Sequence, residues 1–222
     1  MYLEILDERR NHILREIVEK VDIGVYYMAG GTALALQLGH RKSVDFDFFV
    51  PHKFHAELLL DQLKNLNYPL ETINVCDGTC DVLLDGVQVS FFYYPQKMLR
   101  PYVEEKEWEH LRMAGLEDIA VMKAVAIGSR GAKKDFFDLY HILHRMDFGI
   151  KDLVDGLFVK FGEKHDFSYI GMGLNYFEDA ETEILPETFV KYNWKEIKKY
   201  FSEIQEPFFT ELRLRSRLSD PE

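Results

Sequence analysis

The residues best placed to do chemistry in this chain are two aspartates, Asp45 and Asp47, in the segment Ser43-Val44-Asp45-Phe46-Asp47-Phe48-Phe49-Val50. In a strand, side chains two residues apart point to the same face, so both carboxylates share one side. Phe46, Phe48 and Phe49 mark the strand as strongly apolar and place it near a sheet centre. Two carboxylates there repel each other and lose hydration unless a cation compensates them. Hard carboxylate oxygens suit Mg²⁺ or Mn²⁺. Upstream, Gly30-Gly31-Thr32 opens a helix that ends near Gly39. The amides at such a helix start, together with its dipole, receive phosphate. Between the two features lie Arg41, Lys42 and Ser43, two cations and a hydroxyl able to contact an anion. The combination suits a metal-bound nucleoside triphosphate.

Each feature also has a plainer reading. Asp45 and Asp47 could be solvent-facing acids on the polar side of a half-buried strand. Gly-Gly before a helix is common as a simple turn, and Arg41-Lys42-Ser43 alone reads as an exposed polar turn. Further along, Lys123 sits among Met122, Val125, Ala126 and Ile127, where a lysine usually takes the solvent face. Asp135 and Asp138 are three apart on a helical pattern and so share a face, which His141 extends by a turn. By spacing alone this is an exposed acidic stripe. Phe136, Phe137, Leu139, Tyr140, Ile142 and Leu143 nevertheless leave it narrow.

The bulk properties bound the class. The 222 residues suffice for one large domain or two small ones with a proper core. A hydrophobic share of 47% and a charged share of 29% are ordinary for a globular protein. The net charge of −11 argues against broad, non-specific nucleic-acid binding, though not against a local basic patch or a basic partner. No apolar run approaches the length of a membrane span and Met1-Tyr2-Leu3-Glu4 has no signal pattern, so a cytoplasmic protein is expected. Cys76 and Cys80, the only cysteines, are too few for a zinc site and read as reduced, partly buried thiols on a strand.

The elements that must position these residues follow from periodicity. Leu3, Ile5, Leu6, Ile13, Leu14, Ile17 and Val18 predict a helix over 3–20. Strands are expected at 25–29 and 44–50, with a helix at 32–38 capped by Thr32 or a neighbour. An amphipathic helix over 53–66 would carry Phe54, Leu58, Leu59 and Leu63 on one stripe. Strands at 72–84 and 87–94 are joined by Asp85-Gly86, a strong hairpin signal. Helices follow at 117–128 and 133–146, separated by Gly128-Ser129-Arg130-Gly131, and then to the end. Gly171-Met172-Gly173 marks a looser stretch, Asn193-Trp194-Lys195-Glu196 a helix start, and 213–222 a frayed tail. The class is α+β: a mixed α/β half with an antiparallel component, then a helical half. The junction falls within 100–116, where no flexible linker is visible, so the halves are expected to pack together.

The stretch 30–49, Gly-Gly-Thr-Ala-Leu-Ala-Leu through Ser-Val-Asp-Phe-Asp-Phe-Phe, resembles the first motif of the AbiEii/AbiGii family. These are toxin-like nucleotidyltransferases of the DNA polymerase β-like superfamily. The resemblance continues at Gly86–Pro95, Leu116–Ala126, Ser129-Arg130-Gly131 and Lys134–Tyr140, spanning about residues 25–145. It implies a nucleotidyltransferase-like domain over 1–110, with a helical domain over 111–222 packed on it. It also implies that Gly30, Gly31 and Thr32 face the triphosphate and that Asp45 and Asp47 hold the metals. Ser43, Lys123 and Asp135 match further functional positions. Family members transfer a nucleotide, in some cases to tRNA, and act as toxins beside an antitoxin, with links to phage defence.

One departure stands out. Superfamily enzymes place a third carboxylate on a later strand, where this chain has Ser90. If Asp85-Gly86 is a two-residue turn, 84 pairs with 87 and 81 with 90, so Asp81 stands beside Ser90. Asp81 is therefore the expected substitute, a third metal-site carboxylate.

The leading expectation is metal-dependent transfer of an NMP from an NTP. Asp45 and Asp47 would hold the ion and the Gly30-Gly31 amides would receive phosphate. Lys123, with Arg41 or Lys42, would offset pyrophosphate charge, and Asp135 or Asp138 would position Lys123 or the acceptor. A rival is a catalytically weak nucleotide-fold protein that acts by binding a partner, which Ser90 and the acidic charge both allow. Another is an aminoglycoside-type enzyme with a small cationic acceptor.

Overall fold

The computed structural model describes residues 1–106 and 108–219. They form two compact units, Met1–Gln96 with Pro101–Gly115, and Lys97–Arg100 with Leu116–Glu222.

The first unit is built on a sheet in which seven strands are described. In chain order its elements are α1 (Glu8–Lys20), β1 (Tyr27–Ala29), α2 (Gly30–Leu38), β2 (Phe46–Val50), α3 (Ala56–Lys64), β3 (Leu70–Cys76), β4 (Thr79–Leu84), β5 (Val87–Tyr93), β6 (Val103–Glu104) and β7 (Arg112–Met113). The strand order is β3-β4-β5-β2-β1-β7-β6, which puts β2 at the centre, as its aromatic content suggested. β2 runs parallel to β5 and antiparallel to β1.

Alternation along β2 separates two faces. Phe46, Phe48 and Val50 are buried, while Asp47 and Phe49 on the other side are only half-buried. The buried face continues into Val89 and Phe91 of β5 and Cys80, Val82 and Leu84 of β4. Phe48 and Phe91, directly paired in register, stack with centroids 4.8 Å apart. Deleting such a ring costs about 3–5 kcal/mol. In α1, Asp7 caps the helix by accepting from the Arg10 amide at 2.9 Å, and Ile13, Leu14, Ile17 and Val18 are buried at helical spacing.

Several expected boundaries move. The run 72–84 is two strands, because Asp77-Gly78 turns the chain between Cys76 and Thr79, with Gly78 at φ +77. It is a second two-residue Asp-Gly connection, but here only the glycine is in the left-handed region, whereas both Asp85 and Gly86 are. Leu58 does not join the buried stripe of α3. It is 63% exposed, whereas Ala56, Leu59, Leu60 and Leu63 are buried. Cys80 is buried, Cys76 is exposed, and both are free thiols.

The second unit contains α4 (Leu116–Arg130), α5 (Lys133–Arg145), α6 (Ile150–Phe161), α7 (Ser168–Gly173), α8 (Glu178–Glu181) and α9 (Trp194–Ser219). The stretch read as loose is the short helix α7. A β-carbon on Gly173 would lie 2.8 Å from the Gly128 α-carbon of α4, so both glycines are needed for the close crossing. Phe136 of α5 packs its ring 5.2 Å from Phe177 and 5.2 Å from Phe201 of α9. Residues 213–219 continue α9 rather than fray, and 220–222 lie outside the described residues. Asp118 and Lys160 form a fully buried ion pair at 2.6 Å. Asp118 also accepts from the amides of Leu99 (3.0 Å to Oδ1) and Arg100 (3.1 Å). Among the described residues, no helix is long and apolar enough to cross a membrane.

Candidate active site

In the first unit, the site grows from the step between β1 and α2. Ala29, the last residue of β1, pairs with Asp47. The chain then enters the helix directly at Gly30, two residues earlier than expected, with φ +72. Only glycine takes that conformation cheaply. It also leaves room for a neighbour, since a β-carbon at Gly30 would lie 2.7 Å from Asp47 Oδ2. At Gly31 a β-carbon would lie 2.6 Å from Arg41 Nη2 and 3.3 Å from Ser43 Oγ. The two glycines thus let a carboxylate and a guanidinium close on the start of α2.

Thr32 does not cap the helix as expected. Its hydroxyl donates to the Asp45 carbonyl and shares a 2.8 Å hydrogen bond with Ser43 Oγ. Both side chains are buried, and they fix the loop that delivers Asp45. Arg41 is also buried, at 2% exposure, which excludes the exposed-turn reading for it, and Nη1 donates to the Lys42 carbonyl at 2.9 Å. Lys42 is half-buried. The N-terminus of α2 receives no side-chain cap hydrogen bond from its N-cap, Ala29. Amides at such a terminus, beside a buried cation, form an anion-receiving surface.

Asp47 heads a polar row across three strands. It pairs with Ser90 of β5, and Ser90 pairs with Asp81 of β4. The hairpin register is the one read from Asp85-Gly86: Leu84 opposes Val87 and Asp81 opposes Ser90. Both turn residues have positive φ, Asp85 at 48° and Gly86 at 74°. Ser90, 1% exposed, donates its hydroxyl to Asp81 Oδ1 at 2.8 Å, and Gln88 Nε2 donates to both Asp81 oxygens at 3.1 and 3.3 Å. Asp45 immediately precedes β2 and is half-buried. Asp45 and Asp47 are half-buried hard oxygen donors two residues apart, a donor set that fits Mg²⁺ or Mn²⁺. Among the described residues, no three His, Cys, Asp or Glu side chains gather as a metal site.

The second unit holds Lys123 and Asp135, neither of them solvated. Lys123 Nζ lies 2.8 Å from Asp135 Oδ1 and 2.7 Å from Asp138 Oδ2, with both aspartates fully buried. Arg130 reaches the same Asp135 through Nε at 2.8 Å and Nη2 at 3.1 Å. Burial pushes the Asp135 carboxyl upward. Lys123 and Arg130 outweigh it and hold the group below the ordinary carboxylate range. The shared face of Asp135 and Asp138 was legible from spacing, but the exposed stripe is not what forms. Arg130 gained no role in the sequence reading, although it stands five residues before Asp135 across the Gly131 turn.

Comparison with known proteins gives the chain its family. The family model for the nucleotidyl transferase AbiEii toxin of type IV toxin–antitoxin systems matches residues 12–75 and 77–218. An uncharacterized protein of Aquifex aeolicus (strain VF5) is 38% identical over 196 residues, covering 84% of this chain and 91% of its own. Two solved structures share the fold at low identity. A crystal structure described as a nucleotidyltransferase from H. pylori has 20% identity and a TM-score of 0.54, over 94% of this chain and 98% of that one. MenT4, a nucleotidyltransferase toxin of Mycobacterium tuberculosis H37Rv, has 14% identity and a TM-score of 0.58, over 94% and 85%. The chain belongs to the AbiEii nucleotidyl transferase toxin family and is a nucleotidyltransferase.

Proposed function

We propose that the chain transfers an NMP from an NTP to an RNA acceptor, with tRNA as the first candidate, in a reaction that depends on Mg²⁺ or Mn²⁺. The observation that carries this reading is the placement of Asp47 against Gly30, with Asp45 two residues before it, immediately ahead of the central strand. Asp45 and Asp47 would hold the ion. When bound, the ion offsets triphosphate charge and lowers the pKa of the attacking hydroxyl.

The remaining work falls to the chain itself. The Gly30-Gly31 amides and the α2 dipole receive phosphate oxygens, and the buried Arg41, with Lys42, adds positive charge beside them. Thr32 and Ser43 keep this loop in shape. The acceptor oxygen bonds to the α-phosphorus, the bond to pyrophosphate breaks, and pyrophosphate leaves with its electron pair. The acceptor's proton passes to a carboxylate of the site. In the second unit, Asp135 and Asp138 clamp the Lys123 ammonium and tie α4 to α5. Within the family, this activity would make the chain a toxin paired with a cognate antitoxin protein, in a system serving phage defence.

The test is incubation of the purified chain with each α-³²P-labelled NTP, Mg²⁺ and total tRNA. Label in tRNA from at least one NTP is expected, and chelation of the metal with EDTA should remove it. Absence of label with all four NTPs would contradict the tRNA reading.

A further inference from the structure

Ser90 occupies the place where a third acid is expected, and what surrounds it gives it a defined chemical polarity. A serine hydroxyl has one proton and two lone pairs. Here the proton is committed to Asp81 Oδ1, 2.8 Å away on β4. Asp81 is held for this task by Gln88, whose amide donates to both of its oxygens. Ser90 is 1% exposed, so water does not compete for the arrangement. On its other side Ser90 is in register with Asp47 of β2. Directly paired residues share a sheet face, so the oxygen of Ser90, stripped of its donor capacity, is the next polar atom in the row after the Asp47 carboxylate.

We infer that Ser90 and Asp81 together replace the single third carboxylate: Ser90 presents an acceptor oxygen beside Asp47, and Asp81 is a positioning residue that acts through it. A hydroxyl hydrogen-bonded to a carboxylate is a better acceptor than an isolated one, because the negative charge polarises the O–H bond. Asp81 thus contributes charge to the site without standing in it. This inference rests on the reading of Asp45 and Asp47 as the cation's holders and assigns the remainder of that oxygen set.

The test measures Mn²⁺ binding by calorimetry and nucleotidyl transfer, in parallel, on the full chain. Outer-sphere partners of metal ligands are worth about 10- to 100-fold in affinity or activity. Asp81→Ala and Ser90→Ala should each weaken Mn²⁺ binding by about that factor. The double variant should be no weaker than either single, because both act through one oxygen. Asp81→Asn retains a carbonyl that accepts the Ser90 proton, so it should lose less than Asp81→Ala. Additive losses, an unaffected Ser90→Ala, or an Asp81→Asn as impaired as Asp45→Asn would each overturn the inference, the last by making Asp81 itself the charged donor. Intact Mn²⁺ binding in Asp45→Asn would instead overturn the underlying reading.

Discussion

Asp47 and Gly30 are in van der Waals register: the aspartate carboxylate fills the space that a side chain at residue 30 would take, 2.7 Å from an ideal β-carbon. The glycine therefore does two things at once. It turns the chain into α2 at φ +72, and it lets the acid close on the first residue of that helix. Gly30→Ala is expected to cost about 1–2 kcal/mol in backbone strain and to displace Asp47. Transfer activity should fall at least tenfold while the melting temperature drops only a few degrees. Full activity in this variant would show that the position of Asp47 does not depend on Gly30.

The Lys123–Asp135–Asp138 cluster should behave as a buried ion network. Removing one partner leaves an uncompensated charge, which costs about 3–5 kcal/mol. Lys123→Met is therefore expected to lower stability in urea by that order. Arg130→Ala, whose side chain is 58% exposed, should cost at most about 1 kcal/mol. Equal stability losses in the two variants would contradict the assignment of Lys123 as the buried partner.

The same network sets an acid limit. The folded Asp135 carboxyl titrates below its ordinary value of 3.8, because Lys123 and Arg130 outweigh the effect of burial. A depressed carboxyl contributes stability above its unfolded pKa and loses it as pH falls through the folded one. Stability against urea should thus be insensitive to this group at neutral pH and decline below about pH 4. In Asp135→Asn this part of the decline should vanish. An unchanged acid profile in that variant would place the titration elsewhere.

The sequence carried the site's skeleton further than its surroundings. The Asp45/Asp47 spacing, the central apolar strand and the Asp85-Gly86 register were all legible, because each depends on near neighbours and a period of two. The two-residue turn alone sets Asp81 beside Ser90, as the hairpin shows. Other features depend on elements distant in sequence. Lys123 lies in an apolar helix whether it faces solvent or two aspartates, and only the packing of α4 on α5 decides. Asp118 and Lys160 meet across 42 positions that no local pattern connects. Thr32 looked like a cap because the helix was expected to begin there, yet the start at Gly30 frees its hydroxyl for the Asp45 carbonyl. The two-residue strands β6 and β7 are too short for any alternation to show.

The two thiols should differ sharply in reactivity. Burial, with Asp81 adding repulsion, pushes the Cys80 thiol up to about 11, so it stays protonated and enclosed at neutral pH. Cys76 is exposed at the end of β3. Iodoacetamide at pH 8 should alkylate Cys76 alone in the native protein and both cysteines in urea, as read by peptide mass spectrometry. Native labelling of Cys80 would contradict its burial in the sheet core.

The most direct measurement compares the wild-type chain with Asp45→Asn and Asp47→Asn in the labelled-NTP transfer reaction, alongside their melting temperatures without metal. Replacing either carboxylate by an isosteric amide should leave the fold intact, so melting temperatures within a few degrees of wild type are expected, with transfer lost in both variants. Transfer at wild-type rate by either folded variant would contradict the claim that this carboxylate pair carries the reaction.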